Sequence, residues 1–165
     1  MEFTTLTHAM ARVPGPVTVV TTIDPDGVRW GFTANSFSSL SLDPPLVLVC
    51  LDKKASTHPA FLTARSFMVN ILARDQGAVA RRFATSGIDR FADGDMEPGE
   101  LGLPGLPGSA ARVACSMHRI LDGGDHSILI GRVETARVSD RTPLVYVNRS
   151  FAEPAPLDLL TGAVS

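Results

Sequence analysis

The 165-residue sequence has few charged residues, few cysteines and no basic excess. Lysine and arginine total 15 against 17 acidic residues, so the net charge is −2 and little positive charge is available to neutralise nucleic-acid phosphates. The two cysteines, Cys50 and Cys115, are far apart, and with four scattered histidines they form no metal-ligand cluster. We therefore expect neither nucleic-acid binding nor a metal site.

Long apolar runs are missing as well. No stretch approaches the roughly 18 apolar residues of a membrane helix. Residues 1–5 lack the basic region and apolar core that begin a secretory signal. Free thiols are the plainer interpretation of the two cysteines, as is usual in a reducing compartment. These features predict a cytoplasmic protein.

The common nucleotide-binding motifs do not occur. No G-x-G-x-x-G opens a helix after a strand, and there is neither a Walker-type phosphate loop nor a G-x-S-x-G elbow. Nothing in the sequence pairs carboxylates such as Asp93 and Asp95 as an acid and a base, so we expect them to be solvated loop charges. A dedicated Rossmann or P-loop domain is therefore not expected.

Apolar residues make up 44% of the chain, and the mean hydropathy is slightly positive. This composition supports a folded core and argues against disorder. A length of 165 residues suits one core, so we expect residues 1–165 to form a single domain. The low charge content also predicts that a homo-oligomer covers part of the surface.

Short runs of β-branched residues between turn residues predict a mainly β protein. Helices are expected only at 2–12, 57–64 and 76–84. Because the strands follow one another as hairpins, an antiparallel barrel is favoured over a parallel doubly wound sheet. Residues 85–109, rich in Gly and Pro, are expected to be the least regular part. The predicted strands are 17–23, 28–33, 46–51, 66–72, 113–117, 128–138 and 144–147.

The stretch from Gly31 to Cys50 is the most informative. Between two predicted strands it carries hydroxyl and amide side chains, where a plain connector would have Gly, Lys or Glu. Such donors and acceptors without charge suit a polar ligand, although a Ser-rich surface turn is the alternative. The polar side chains concerned are those of Thr33, Asn35, Ser36, Ser38, Ser39 and Ser41.

A second polar turn begins at Asp52, directly after the strand that leaves this loop. Lys53, Ser56 and Thr57 lie at the start of a predicted helix, where a cation, hydroxyls and free backbone N–H groups suit a phosphate. A strand of about six residues spans ~20 Å. Both turns can therefore contact one elongated ligand that lies along the strand between them.

The segment Gly31–Leu46 resembles the signature of the flavin reductase family. Members of this family have the FMN-binding split-barrel fold and are the reductase components of two-component flavin-dependent monooxygenases. The resemblance continues through Leu51–Thr57, Phe67–Leu72, Ala80–Ala84 and Gly124–Glu134. It covers nearly the whole chain in the expected order, and the ordered set is more specific than any one segment.

The resemblance implies a fold and an activity. The fold would be an antiparallel split β-barrel, Greek-key-like, with a few short helices, and the protein would be a homodimer. It would bind FMN, or FAD as some members do, and reduce it with NADH or NADPH as co-substrate. A hydride would pass from nicotinamide C4 to flavin N5, and the reduced flavin would go to a partner monooxygenase.

The resemblance also implies roles for individual residues. His126 would lie near the nicotinamide and position it, although a polar residue closing a hairpin turn is the alternative. Backbone N–H groups of residues 50–53 are candidates for stabilising the charge of reduced flavin. Lys53, Ser56 and Thr57 would hold the phosphate. The expected cofactor-binding residues are Thr33, Ala34, Asn35, Ser36, Ser38, Cys50, Leu51, Asp52, Lys53, Ser56, Thr57 and Phe83.

Other functions stay open on a similar fold. One is a non-catalytic electron carrier that binds FMN. A second is a flavoenzyme like pyridoxamine-phosphate oxidase, which would need a basic pocket for a second phosphate, whereas the only lysine pair here is Lys53-Lys54. A third is a structural β-barrel interaction domain that binds no flavin.

Overall fold

The computed structural model describes residues 2–157, which contain three short α-helices, one 3-10 helix and twelve strands. No helix in this range is long and apolar enough to cross a membrane. The elements in chain order are α1 (Phe3–Ala11), β1 (Gly15–Pro16), β2 (Thr18–Ile23), β3 (Arg29–Ala34), β4 (Ser38–Leu42), β5 (Pro45–Asp52), α2 (His58–Leu62), β6 (Ser66–Ile71), α3 (Gly77–Ala84), β7 (Glu97–Pro98), the 3-10 helix (Glu100–Gly102), β8 (Pro104–Gly105), β9 (Ala111–Gly123), β10 (His126–Val138), β11 (Val145–Val147) and β12 (Ser150–Ala152).

Seven strands form one sheet in the order β3-β2-β6-β9-β10-β5-β4, and every neighbouring pair is antiparallel. In residues 2–157, β3 and β4 are the two edges of this sheet and are not hydrogen bonded to each other. A three-stranded sheet contains β1, β11 and β12, and β7 pairs with β8. The prediction of a mainly β, antiparallel fold with few helices is confirmed.

The main core lies against one face of the seven-stranded sheet. On β5, Val47, Val49 and Leu51 are buried, whereas the residues between them are half-buried, as the period-2 alternation of a strand requires. Phe61 of α2 and Phe67 of β6 are fully buried in the same cluster. The hydrophobic face of β5 therefore fixes which of its side chains face outward.

A second core lies between α3 and β2. Phe83 and Ala80 of α3 pack there with Val17 and Val19. The ring of Phe91 meets that of Phe83 edge-on, with a centroid distance of 5.1 Å and an interplanar angle of 90°. This packing holds α3 beside the edge strand β3, where the candidate site begins.

The loop expected after residue 33 contains a strand. Residues 38–42 form β4, which pairs with β5 from Ser38↔Leu48 to Leu42↔Pro45. The prediction of an unbroken loop was wrong because β4 is a short edge strand of mostly exposed residues, and its Ser-Ser-Leu-Ser-Leu sequence is rich in the serines that favour turns. The hairpin strands β9 and β10 are also longer than predicted, since they pair almost to the turn at Gly124.

Residues 85–109 are more regular than predicted. β7 and β8 pair with each other, and the segment is tied to the main sheet by two buried hydrogen bonds. Thr21 Oγ1 donates to the Pro104 carbonyl at 2.6 Å, and the Leu106 amide donates to Asn70 Oδ1 at 2.8 Å. Long-range polar contacts of this kind order the segment, and its Gly- and Pro-rich composition does not reveal them.

Candidate functional site

The first polar turn contributes to a cavity of about 710 Å³. Thr33, near the end of β3, lines this cavity, and its Oγ1 donates to the Ala80 carbonyl of α3 at 2.6 Å. Asn35 follows β3 and is exposed. The hydroxyl of Thr33 therefore fixes the helix against the strand on which the cavity is built. The lining residues are Val17, Thr33, Asn35, Ala80, Arg81, Ala84, Tyr146, Arg149, Ser150 and Phe151.

Ser36 joins the same turn to β5. Its Oγ accepts from the Cys50 amide at 3.0 Å and lies 3.3 Å from the Cys50 carbonyl, to which it donates. Ser38 is exposed on β4 and donates to the neighbouring Ser39 carbonyl at 3.0 Å. Of the predicted residues, Ser36 and Cys50 are thus brought into direct contact, and Ser38 remains at the exposed edge.

The tip of the β9–β10 hairpin contacts the second polar turn. The Lys53 ammonium forms an ion pair with Asp122, and the Lys53 amide donates to the Asp125 carbonyl at 3.0 Å. The hydrogen bond from Lys53 lowers the pKa of the exposed Asp122 carboxyl. Asp52 is paired with His126 across the two strands. The predicted nicotinamide residue therefore lies beside the predicted phosphate turn.

His126 has a partner that fixes its ring. Its Nδ1 lies 2.7 Å from the Asp125 carboxylate, and this hydrogen bond lowers the pKa of Asp125. The His126 side chain is about 41% exposed. Because Nδ1 is engaged, Nε2 is the ring atom left to meet a ligand.

Ser56 and Thr57 line a separate, smaller cavity of about 170 Å³. Thr57 is only 2% exposed, and its Oγ1 has no hydrogen-bond partner in residues 2–157. Such a buried, unpaired hydroxyl is costly unless a ligand or water satisfies it. Arg90 lines the same cavity, and burial lowers its pKa. Arg29 and Asp89 line it as well, so the cavity combines two arginines and a serine hydroxyl with one carboxylate.

Strand β3 lies between the two cavities. Thr33 lines the larger one, and Trp30 and Gly31 line the smaller one. Both polar turns predicted from the sequence therefore meet cavities along one edge strand. β3 therefore lies beside both polar turns in space, whereas β5 connects the two turns along the sequence.

Three predicted residues contribute little exposed side chain. Ala34, Leu51 and Phe83 are 7%, 2% and 0% exposed. Two amides of the 50–53 segment are engaged within the protein, since those of Cys50 and Lys53 donate to the Ser36 hydroxyl and the Asp125 carbonyl. These two amides are therefore not free to stabilise reduced flavin, and the role of the 50–53 segment otherwise stays a prediction.

Arg81 and Arg149, which are not among the residues predicted from the sequence, both line the larger cavity. Arg81 lies on α3, with its guanidinium carbon 5.0 Å from the centre of the Phe151 ring. Arg149 lies in the turn between β11 and β12, a hairpin that the sequence analysis did not resolve. Asn148 was the available signal for that turn, because Asn tolerates the left-handed conformation, and Arg149 in the place of the usual Gly weakened it.

Comparison with known proteins gives one family and several relatives. Residues 10–155 match the family described as Flavin reductase like domain. The chain is 44% identical over 148 residues to the actinorhodin polyketide dimerase of Streptomyces coelicolor, covering 89% of this chain and 84% of the relative. It is 43% identical over 151 residues to the NADH:riboflavin 5'-phosphate oxidoreductase of Streptomyces pristinaespiralis, covering 90% and 86%.

A third relative and a solved structure extend this similarity. The reductase subunit HsaB of a flavin-dependent monooxygenase from Rhodococcus jostii is 40% identical over 141 residues, with 85% of this chain and 72% of the relative covered. The NADH:FAD oxidoreductase of Streptomyces globisporus, solved with NAD and FAD fragments, superposes with a TM-score of 0.87 at 37% identity, covering 93% of each chain.

Proposed function

Because the chain belongs to the flavin reductase like family, we propose that it is an NAD(P)H-dependent flavin reductase that supplies reduced flavin to a partner monooxygenase. The relatives named as NADH:flavin oxidoreductases and as a monooxygenase reductase subunit support this function. The observation that carries it in the structure is the pair of cavities along β3, which are lined by the polar side chains of both predicted turns.

The residues present fit a flavin mononucleotide. The smaller cavity, about 170 Å³, suits a phosphate because Arg29, Arg90 and Ser56 line it. Thr33 and Asn35 face the larger cavity and would hold the ring and ribityl chain. Lys53, whose ammonium is shared with Asp122, adds positive charge near the hairpin tip.

Bound flavin supplies the redox chemistry by accepting a hydride from NADH or NADPH and carrying the electrons to the partner. The protein's own residues bind and orient. Asp125 holds the His126 ring through Nδ1, so Nε2 is presented in a fixed direction to the nicotinamide. Ser36 ties the first turn to β5 at Cys50 and so keeps the turn rigid. Direct hydride transfer needs no side chain to remove a proton.

We also propose the finer features of the fold: residues 1–165 form one split-barrel domain, and two copies form a homodimer. Residues 1 and 158–165 lie outside the described part of the chain. Helix α1 has no buried residue, and Phe3 and Leu42 are 79% and 93% exposed. Exposed apolar side chains of this size suit burial against a second copy.

The free thiols Cys50 and Cys115 support a cytoplasmic location.

We expect the protein to have flavin-dependent reductase activity. Purified protein should oxidise NADH or NADPH, followed by loss of their absorbance, at a rate that saturates as FMN or FAD is added. The same protein without flavin is the control. If neither nicotinamide is consumed with any flavin, the reductase function is excluded. Copurifying FMN that stays bound and is not reduced would instead support the electron carrier.

We expect the two thiols to differ in reactivity. Iodoacetamide should alkylate Cys50, which is half-buried, and leave native Cys115 unmodified because burial raises its pKa to about 12. If Cys50 lies beside the flavin ring, saturating FMN should slow its alkylation several-fold. Mass spectrometry after digestion measures both sites. An alkylation rate at Cys50 that FMN does not change would remove this residue from the flavin site.

A further inference from the structure

The cavity of about 710 Å³ has positively charged side chains in its lining. Two arginines, Arg81 and Arg149, line it, and no acidic side chain does in the part of the chain that the structure describes. Neither guanidinium forms an ion pair with a carboxylate of residues 2–157. Its volume is within the range of ~300–1,000 Å³ found for small-molecule sites. The cavity is therefore suited to an anionic ligand.

Arg149 occupies a position that an arginine side chain disfavours. Val147 and Ser150 pair across a two-residue turn, in which Asn148 has φ 51° and Arg149 has φ 60°. A hairpin turn with two left-handed residues prefers Asn followed by Gly, since a side chain at the second position crowds the backbone. An arginine kept in such a strained position points to a role for its side chain.

Arg81 and the aromatic residues complete the cavity. The Arg81 guanidinium lies over the Phe151 ring, and the Tyr146 and Phe151 rings meet at 5.8 Å between centroids. Arginine stacked on an aromatic face keeps its N–H edge directed outward for bidentate contact with phosphate oxygens. An aromatic wall beside it suits a planar ring such as an adenine.

We propose that Arg81 and Arg149 bind the pyrophosphate of an adenine dinucleotide in this cavity. The proposal rests on the reductase function, and it deepens it by naming residues that select a dinucleotide. Two positive charges match the two charges of a pyrophosphate. The dinucleotide is either the nicotinamide substrate or FAD, because both carry the same pyrophosphate and adenosine. Thr33 and Asn35, which are proposed to hold the flavin ring and ribityl chain, line the same cavity.

The test uses the full chain and Arg149→Gly, which removes the side chain and relieves the strained turn. We expect the thermal midpoint to stay equal or rise, and the KM of NADH to rise about tenfold or more, the usual loss for a charged hydrogen bond. Riboflavin, which has no phosphate, serves as the electron acceptor in this arm. A second arm compares the KM of FAD with that of FMN at saturating NADH; an increase for FAD alone identifies FAD as the occupant.

Three further variants make the result specific. Arg149→Lys should recover part of the affinity, and Arg81→Gln should weaken the same dinucleotide as Arg149→Gly. Arg119→Gln, an exposed arginine of β9 outside the cavity, is the matched loss of charge and should change no KM. Unchanged KM values for both dinucleotides in Arg149→Gly would overturn the proposal. So would equal increases for FMN and FAD, or a lower thermal midpoint that accompanies the affinity loss.

If the protein is not a flavin reductase, the unmodified protein oxidises no nicotinamide with any flavin, a result that differs from those expected of the variants. NAD and FAD can then be titrated directly and followed by calorimetry. Binding that Arg149→Gly weakens would support the dinucleotide site without turnover, and absence of binding to the unmodified protein would overturn it.

Discussion

Replacement of Phe83 by Ala is expected to lower the free energy of unfolding by about 3–5 kcal/mol. The Phe83 ring is fully buried and lies edge-on to Phe91 in the core that joins α3 to the sheet. It also fills the space beside Gly31, where an added Cβ would lie 2.8 Å from Phe83 Cε1. Removal of the ring leaves a cavity at this contact, and urea unfolding measures the loss.

Comparison of Phe83→Ala with Phe83→Leu distinguishes a packing role for Phe83 from contact with the flavin. Phe83→Leu retains most of the volume and should cost much less stability than Phe83→Ala. At a temperature where both variants are folded, we expect the KM of FMN to change little in either. A large increase of that KM in Phe83→Leu, with stability preserved, would contradict the packing role. It would restore the sequence-based assignment of Phe83 to the flavin site.

The family and the general fold were predictable from the sequence because each rests on local patterns. Hairpin turns such as Asp24–Gly27 carry their own signals, and Gly27 has the positive φ of 80° that the turn requires. The polar segment from Gly31 to Leu46 lies among matching segments in the expected order. The match of residues 10–155 to the flavin reductase like domain confirms that interpretation.

Features that depend on contacts distant in sequence were not predictable. The sequence shows that Lys53 is a cation in a polar turn, but its pairing with Asp122 exists only because the β9–β10 hairpin folds beside β5. Arg149 likewise reaches a cavity with Thr33 only through the hairpin of β11 and β12. Local periodicity carries no information about such partners, so the charge of the candidate site emerged only from the fold.

Edge strands are a second feature that could not be predicted from the sequence. β4 carries Leu40 and Leu42, which are 48% and 93% exposed, among three serines, so its short apolar alternation is not buried and does not stand out from a Ser-rich turn. Its pairing with β5 is decided by the β5 backbone, which offers free hydrogen-bonding groups along its outer side. The segment that looked like a ligand loop is therefore partly a strand, and only residues 35–37 separate it from β3.

Substitution of Gly131 by Ala is expected to destabilise the protein by about 1–3 kcal/mol, and Gly131→Val by more. Gly131 lies on β10 opposite Met117, next to a register shift in its pairing with β9. An added Cβ would lie 2.5 Å from Phe67 Cζ and 2.7 Å from Cys115 Cβ, closer than folded proteins tolerate. Both neighbours are fully buried, so neither can move without disturbing the main core.

A double-mutant cycle tests whether this contact is the cause. In Gly131→Ala with Phe67→Leu, the shortened side chain makes room for the new methyl group, so the two losses should not add. Ala136→Val enlarges an exposed side chain on the same strand and should change stability by less than about 0.5 kcal/mol. Additive losses would instead mean that the contact with Cys115, which Phe67→Leu leaves in place, causes the destabilisation. Because β10 pairs with β5 as well as β9, a shift at Gly131 would also reach Cys50 and weaken flavin use together with stability.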